Sequence, residues 1–251
     1  MHIDVIAEIG VNHDGKLNRA LALLDAAKQA GADVAKFQLW RGRPELEHLR
    51  LVVPQLMRCA AHCSDVDIEF MCTAHDMPSL DEVLSLGVKR LKLASTAIVN
   101  KKLLRAVAAT RRPVIMSTGM STLDEVKKVM WDYIFYTHQL TLLHCVSAYP
   151  APIGELNLRC INTLKRFGVP VGYSDHSANP HALYAAVALG ATTIEAHLTY
   201  DTQAEGPDHS SSYMPIRLRQ AIMGIRQIEQ MLGDGNKVVQ ESEMALRAQT
   251  Q

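Results

Sequence analysis

Two histidines close two strand-like runs of this chain. His176 ends Val-Gly-Tyr-Ser-Asp-His and His197 ends Thr-Thr-Ile-Glu-Ala-His, with a short helical segment between them. On neighbouring parallel strands, both imidazoles would leave one edge of a sheet, as a pair of nitrogen donors for a divalent metal at the mouth of an α/β fold. A lone histidine among the 11 present reads first as a hydrogen-bonded core or rim residue. Two at equivalent strand ends read as well as a metal pair. Lys36 and Lys92 each lie inside an apolar run. A buried ammonium is costly without an anion. One such lysine suits a structural ion pair. Two, beside hydroxyls at Thr73, Ser95, Ser117, Ser147 and Ser174, point to a bound phosphate or carboxylate.

The elements that must position these residues recur as one unit: a short apolar run, a turn, then a stretch of helical period. The runs are Ile3–Ile9, Val34–Leu39, Ile68–Thr73, Arg90–Ser95, Pro113–Thr118, Leu140–Val146, Val169–Ser174 and Thr192–Leu198. The helical stretches are Leu17–Ala30, Leu51–Cys63, Ser79–Leu86, Lys101–Thr110, Leu123–Phe135, Leu156–Phe167, Ala182–Leu189 and Ile216–Leu232. Glycines mark several helix-to-strand returns, at Gly31, Gly87, Gly168 and Gly190, where a left-handed cap is wanted. Eight units in 251 residues predict a single-domain α/β fold, a (β/α)8 TIM barrel spanning 1–251 with a polar C-terminal extension over 234–251. A doubly wound open sheet is the alternative, and it gives no reason for eight strands. In a barrel the chemistry sits at the carboxyl ends of the strands. There the sequence places Glu8, Lys36, Gln38, Thr73, Lys92, Ser95, Ser117, His144, Ser147, Tyr149, Ser174, Asp175, His176, Glu195 and His197, with Asp208 in the loop beyond.

Composition narrows the partners. Lys+Arg and Asp+Glu balance at 26 each, so no global field favours nucleic acid and an anion needs a local cluster. The apolar runs are too short for a membrane span, and the N-terminus reads as a strand rather than a signal peptide. Five cysteines without framework spacing predict reduced thiols and a cytoplasmic protein. Cys59 and Cys63, one helical turn apart around His62, read as helix packing before a metal site.

The motifs together resemble the sialic acid synthase (N-acetylneuraminate synthase) family. They are Ala7-Glu8-Ile9-Gly10-Val11-Asn12-His13, Lys36-Phe37-Gln38, Leu91-Lys92-Leu93-Ala94-Ser95 and Ser117-Thr118-Gly119-Met120-Ser121. Further on come Leu143-His144-Cys145-Val146-Ser147-Ala148-Tyr149-Pro150, Gly172-Tyr173-Ser174-Asp175-His176, Glu195-Ala196-His197 and Gly206-Pro207-Asp208-His209, in family order. The resemblance implies a barrel that condenses phosphoenolpyruvate with an amino-sugar aldehyde, using Mn2+ or Mg2+ on His176 and His197. It makes Lys36, Lys92, Ser95, Ser117, Ser147 and Ser174 a phosphoenolpyruvate cradle, with Thr73 nearby. It puts Glu8, Gln38, Tyr149 and Asp208 around the metal's water and the sugar. It also suggests a homodimer.

The chain departs from the pattern in places. Ala97 stands where an acidic residue usually follows the fourth-strand serine, which leaves either Glu8 or Asp175 to supply the missing carboxylate or an impaired water-activation step. Ala196 stands where a basic residue often precedes the second histidine. The loop Trp40-Arg41-Gly42-Arg43-Pro44 is short, and the family's C-terminal antifreeze-like domain has no counterpart before Gln251. These changes predict a retained anion half and an altered sugar half; Arg41 and Arg43 at the mouth read first as a solvated loop and otherwise as holding an acidic or phosphorylated aldehyde. Two other readings stay open: a Schiff-base aldolase using Lys36 or Lys92, and a non-catalytic barrel that binds a sugar or a partner protein.

Overall fold

The computed structural model describes residues 2–134 and 139–250. Eight parallel strands close into a barrel in chain order, β1 pairing with β8 as well as with β2, so the open-sheet alternative falls away. The strands are β1 (Asp4–Gly10), β2 (Val34–Leu39), β3 (Glu69–Ala74), β4 (Leu91–Leu93), β5 (Val114–Ser117), β6 (Leu140–His144), β7 (Val171–Asp175) and β8 (Thr193–His197). Each is buried over nearly all its length, as apolar strands covered by helices must be.

The return helices are α1 (Leu17–Ala30), α2 (Val53–Asp65), α3 (Met77–Ser85), α4 (Lys101–Ala109), α5 (Leu123–Val129), α6 (Cys160–Lys165), α7 (Pro180–Ala188) and α8 (Pro215–Met231). In α1 the buried Ala20, Leu23, Leu24 and Ala27 form the inward stripe that its spacing predicts. It stops at Gly31, whose φ of 89° lets the chain turn back into β2. Two stretches differ from expectation. α6 is only six residues long, because the segment before it enters through Pro152 and a left-handed Asn157 (φ 41°). α5 gives way to a π-turn over Met130–Ile134, and Phe135, its expected end, lies outside the described residues, as do Met1 and Gln251. The polar tail carries an exposed short helix, α9 (Met244–Thr250).

Two apolar layers hold the fold. The larger joins the outer strand faces to the helices, and a smaller cluster of Ile6, Val34, Met71, Ile115 and Leu143 fills the barrel interior. Side chains alternate across a strand. Two residues after Ile6, Val34, Met71 and Ile115 on the same inward face stand Glu8, Lys36, Thr73 and Ser117. The barrel thus has an apolar floor under a layer of ionisable and hydroxyl groups.

Candidate active site

That upper layer opens into a cavity of ≈ 310 Å3 at the carboxyl ends of the strands. Glu8, Lys36, Gln38, Thr73, Lys92, Ser95, Ser117, Ser147, Tyr149, Ser174, His176, His197 and Asp208 all line it. Asp175 does not, and neither does His144, whose Nε2 donates to Leu156 O at 2.7 Å.

The lysines sit in an ion network at the cavity base. Lys36 Nζ lies 2.6 Å from Glu8 Oε2 and 3.6 Å from Glu195 Oε2, and Lys92 Nζ lies 3.6 Å from Glu195 Oε1. Lys36 also donates to Thr73 Oγ1 at 3.2 Å and Lys92 to Ser117 Oγ at 2.8 Å, while Ser174 donates to Glu195 Oε1 at 2.9 Å. Two carboxylates therefore already answer two ammoniums, and the protein supplies counter-ions that the anion-binding reading had left out. Burial sets the titration order. It pushes Glu8 up to about 7 against the pull of Lys36. It opposes charge on Glu195 too, but Lys36 and Lys92 outweigh it and hold that carboxyl near 2. Lys92 is lowered by burial, whereas Glu195 and Glu8 overcome burial to hold Lys36 high. Glu195, placed at the end of its strand by the sequence but given no role there, is the centre of the network. The signal for it was parity, because it shares the inward face of β8 with His197.

Above Lys92 the wall becomes a hydroxyl pocket. Ser95 Oγ accepts from the Gly119 N–H at 3.1 Å and lies 3.3 Å from Cys145 Sγ. A Cβ on Gly119 would fall 2.3 Å from Ser147 Oγ and 2.9 Å from Ser95 Oγ, so only glycine leaves this pocket open.

Across the cavity, the rings of His176 and His197 lie 5.3 Å apart between centroids. His176 Nδ1 donates to Val146 O at 2.6 Å, which leaves the Nε2 lone pair facing Tyr149 Oη at 3.1 Å. His197 Nδ1 is buried without a hydrogen-bond partner among the described residues, 3.5 Å from Asp208 Oδ2. Burial lowers both imidazoles and raises Asp208 to about 6. Among the described residues, no group of three His, Cys, Asp or Glu side chains is arranged to hold a metal ion.

The profile of the NeuB family matches residues 43–237. The chain belongs to the NeuB family. It is 36% identical over 267 residues to the N,N'-diacetyllegionaminic acid synthase of Campylobacter jejuni subsp. jejuni, covering 95% of this chain and 80% of that one. It is 32% identical over 266 residues to human N-acetylneuraminate-9-phosphate synthase, covering 96% and 74%. A crystal structure of the sialic acid synthetase of Leptospira borgpetersenii, in complex with citrate, matches with a TM-score of 0.93 at 32% identity, over 99% of this chain and 91% of that one. The sialic acid synthase resemblance carried by the sequence motifs is borne out, as is the barrel.

Two expectations for this NeuB chain, on Asp175 and Arg41, are corrected by its geometry. Asp175 lies on the outward face of β7. Its carboxylate accepts from Tyr173 Oη (3.0 Å), Tyr213 Oη (2.8 Å) and the Ser177 N–H (3.0 Å), so it braces the loop after β8 and does not reach the cavity. Arg41 pairs with Glu82 outside the mouth, leaving Arg43 alone of the two arginines in the wall. Ala97 is buried in the apolar core, while Ser95 and Thr96 before it line the cavity. Cys59 and Cys63 do pack in the core, and His62 turns to Asp25 at 2.7 Å. His75, unnoticed in the sequence, also lines the cavity, between Arg43 and Gln38.

Proposed function

We propose that this NeuB-family enzyme condenses phosphoenolpyruvate with a small sugar aldehyde, giving a sialic-acid-like 2-keto-3-deoxy acid and inorganic phosphate. One observation carries the reading. Lys36, Lys92 and the hydroxyls of Ser95, Ser117 and Ser147 open onto the same cavity as His176 and His197. An anion held by the lysines and hydroxyls then lies beside whatever the imidazoles hold. Lys92, Ser117, Ser95 and Ser147 receive the phosphate, and Lys36 steadies the carboxylate. Arg43, His75 and Asp208 line the same cavity and would meet the acceptor.

Carbon 3 of phosphoenolpyruvate attacks the aldehyde carbon, and the aldehyde oxygen takes up a proton. Water adds to carbon 2, and Glu8, the cavity carboxylate closest to neutrality, takes the proton that water releases. The hydroxyl now on carbon 2 then becomes the keto oxygen as the carbon–oxygen bond to phosphate breaks, and the departing phosphate takes the hydroxyl proton, with Lys92 and the hydroxyls stabilising its charge. The residues fit a divalent cation: two neutral imidazoles, one with its lone pair fixed on Nε2 and one with a buried ring nitrogen free of hydrogen bonds. His176 and His197 would hold Mn2+ or Mg2+, which supplies Lewis-acid polarisation of the aldehyde. Nitrogen donors favour Mn2+ of the two. The free thiols suit a cytoplasmic site of action.

The test is release of phosphate from phosphoenolpyruvate with Mn2+ across a panel of aldoses and amino sugars. Turnover with at least one aldehyde, abolished by chelator and restored by Mn2+, is expected. Silence across the panel together with no phosphoenolpyruvate binding by calorimetry would overturn the reading. A Schiff-base aldolase is the second reading, favoured by the lowering of Lys92 through burial. Borohydride trapping of a carbonyl substrate on Lys92 would establish it instead.

A further inference from the structure

The wall beneath the mouth holds a line of hydrogen bonds that the condensation steps leave unexplained. Arg43 Nη2 lies 3.4 Å from His75 Nδ1, and His75 Nε2 lies 3.2 Å from Gln38 Oε1. Gln38 Nε2 donates to Glu8 Oε1 at 2.5 Å. Donor and acceptor inventories give this line one direction. A guanidinium has only donors, so His75 Nδ1 must accept. An imidazole accepting at Nδ1 is neutral and carries its proton on Nε2. That proton goes to the Gln38 oxygen, which turns the Gln38 nitrogen toward Glu8. A protonated His75 would aim an N–H at the guanidinium and break the line at its first link.

The ends of the line are anchored. Asp76 Oδ2 accepts from the Arg41 N–H at 2.7 Å and the Gly42 N–H at 3.3 Å, which ties the loop carrying Arg43 to the segment carrying His75. The His75 N–H donates to Leu39 O at 3.1 Å, one residue past Gln38. The ring meets Trp40 edge-on at 6.4 Å between centroids. Burial, and after it the Arg43 charge, lower the His75 imidazole to about 3.

We propose that His75 is a positioning residue: it fixes the amide of Gln38, and through it the carboxylate of Glu8, and links both to Arg43 at the mouth. A side chain without ring nitrogens would leave the Gln38 amide free to rotate, and its oxygen could then face the Glu8 carboxylate. The effect on turnover rests on the function proposed above. The hydrogen-bond direction does not, and the two are measured separately.

Imidazole 15N correlation spectra, with His75 assigned by comparison with His75→Phe, report the ring directly. A neutral ring protonated on Nε2 from pH 6 to 9 is expected. An imidazolium at pH 7, or a proton on Nδ1, overturns the proposal whether or not phosphoenolpyruvate is the substrate. In the phosphate-release assay, His75→Phe is expected to lower kcat by about 10- to 100-fold with little change in KM for phosphoenolpyruvate. His75→Gln, whose amide offers both an acceptor and a donor, recovers most of it. Equal losses in the two variants, or a change confined to KM, refute the positioning role. If the Phe variant does not fold, Arg43→Met replaces it. Removing the donor to Nδ1 is then expected to change the His75 ring spectrum, and an unchanged spectrum refutes the link.

Discussion

Glu8 and Glu195 are both buried in one network, yet they titrate in opposite directions. Glu195 faces two ammoniums and stays ionised, so it is a fixed charge. Glu8 shares Lys36 with it and is pushed by burial to about 7, which places it where a proton acceptor works at neutral pH. Its ionised form is the active one, so kcat for phosphate release is expected to rise with pH through about 7 and then level off. Glu8→Gln is expected to lose on the order of 100-fold or more and to show no inflection there. A wild-type profile flat from pH 6 to 8 would exclude this role. At this scale most of the site was legible. Alternation along a strand puts every second residue inward, and motif order named which of those carry chemistry. Asp175 misled because Ser-Asp-His reads as one reactive run, although parity sends Ser174 and His176 inward and Asp175 outward. His75 escaped because it lies beyond the end of β3, where parity no longer tells direction.

The turn after β5 shapes the anion pocket at the scale of an element. Gly119 stands between the hydroxyls of Ser95 and Ser147, and its backbone conformation needs no left-handed φ. Gly119→Ala therefore fills the pocket without straining the main chain. It is expected to weaken phosphoenolpyruvate binding by calorimetry about tenfold or more and to lower the melting temperature by a few degrees, because an overpacked methyl costs about 1–3 kcal/mol. Unchanged affinity would mean that the phosphate sits elsewhere. The elements themselves were legible to within a few residues, since β-branched runs and helical stripes record burial. β4 proved shorter than its apolar run, because Ala94 leads directly into the turn Ser95–Val99 that presents Ser95 to the cavity. A run of buried residues cannot by itself distinguish a strand from a tight turn packed in the same core.

The whole molecule buries many imidazoles in neutral form. Burial lowers His13 to about 4 and His75 to about 3, and it lowers His144 and His209 as well. The unfolded chain protonates these rings near 6.5. It therefore holds more protons below that pH, and the folded state loses stability as pH falls. Glu8 and Asp208 act in the opposite sense, because burial raises them and their folded forms hold the extra proton. The histidines outnumber them, and Glu195 adds a further loss below about 4.5. The urea midpoint of the metal-free protein is expected to be clearly lower at pH 4 than at pH 7, with an unchanged slope. A midpoint that is flat or higher in acid would contradict this balance. The barrel itself was legible from its count of eight units, but the ion network was not. Its contacts join residues distant in sequence, Glu8 to Lys36 and Lys92 to Glu195, and only closure of the sheet brings them together.

The apolar floor and the reactive layer are separated by two positions along β1, β2, β3 and β5. From Ile6 to Glu8, Val34 to Lys36 or Ile115 to Ser117, one step of the pleat crosses from packing to chemistry. The two layers can therefore be edited independently. A library restricted to the upper positions can search new acceptors and new anions without renegotiating the jigsaw beneath, whereas changes to the lower five would alter the scaffold and leave the reaction repertoire untouched.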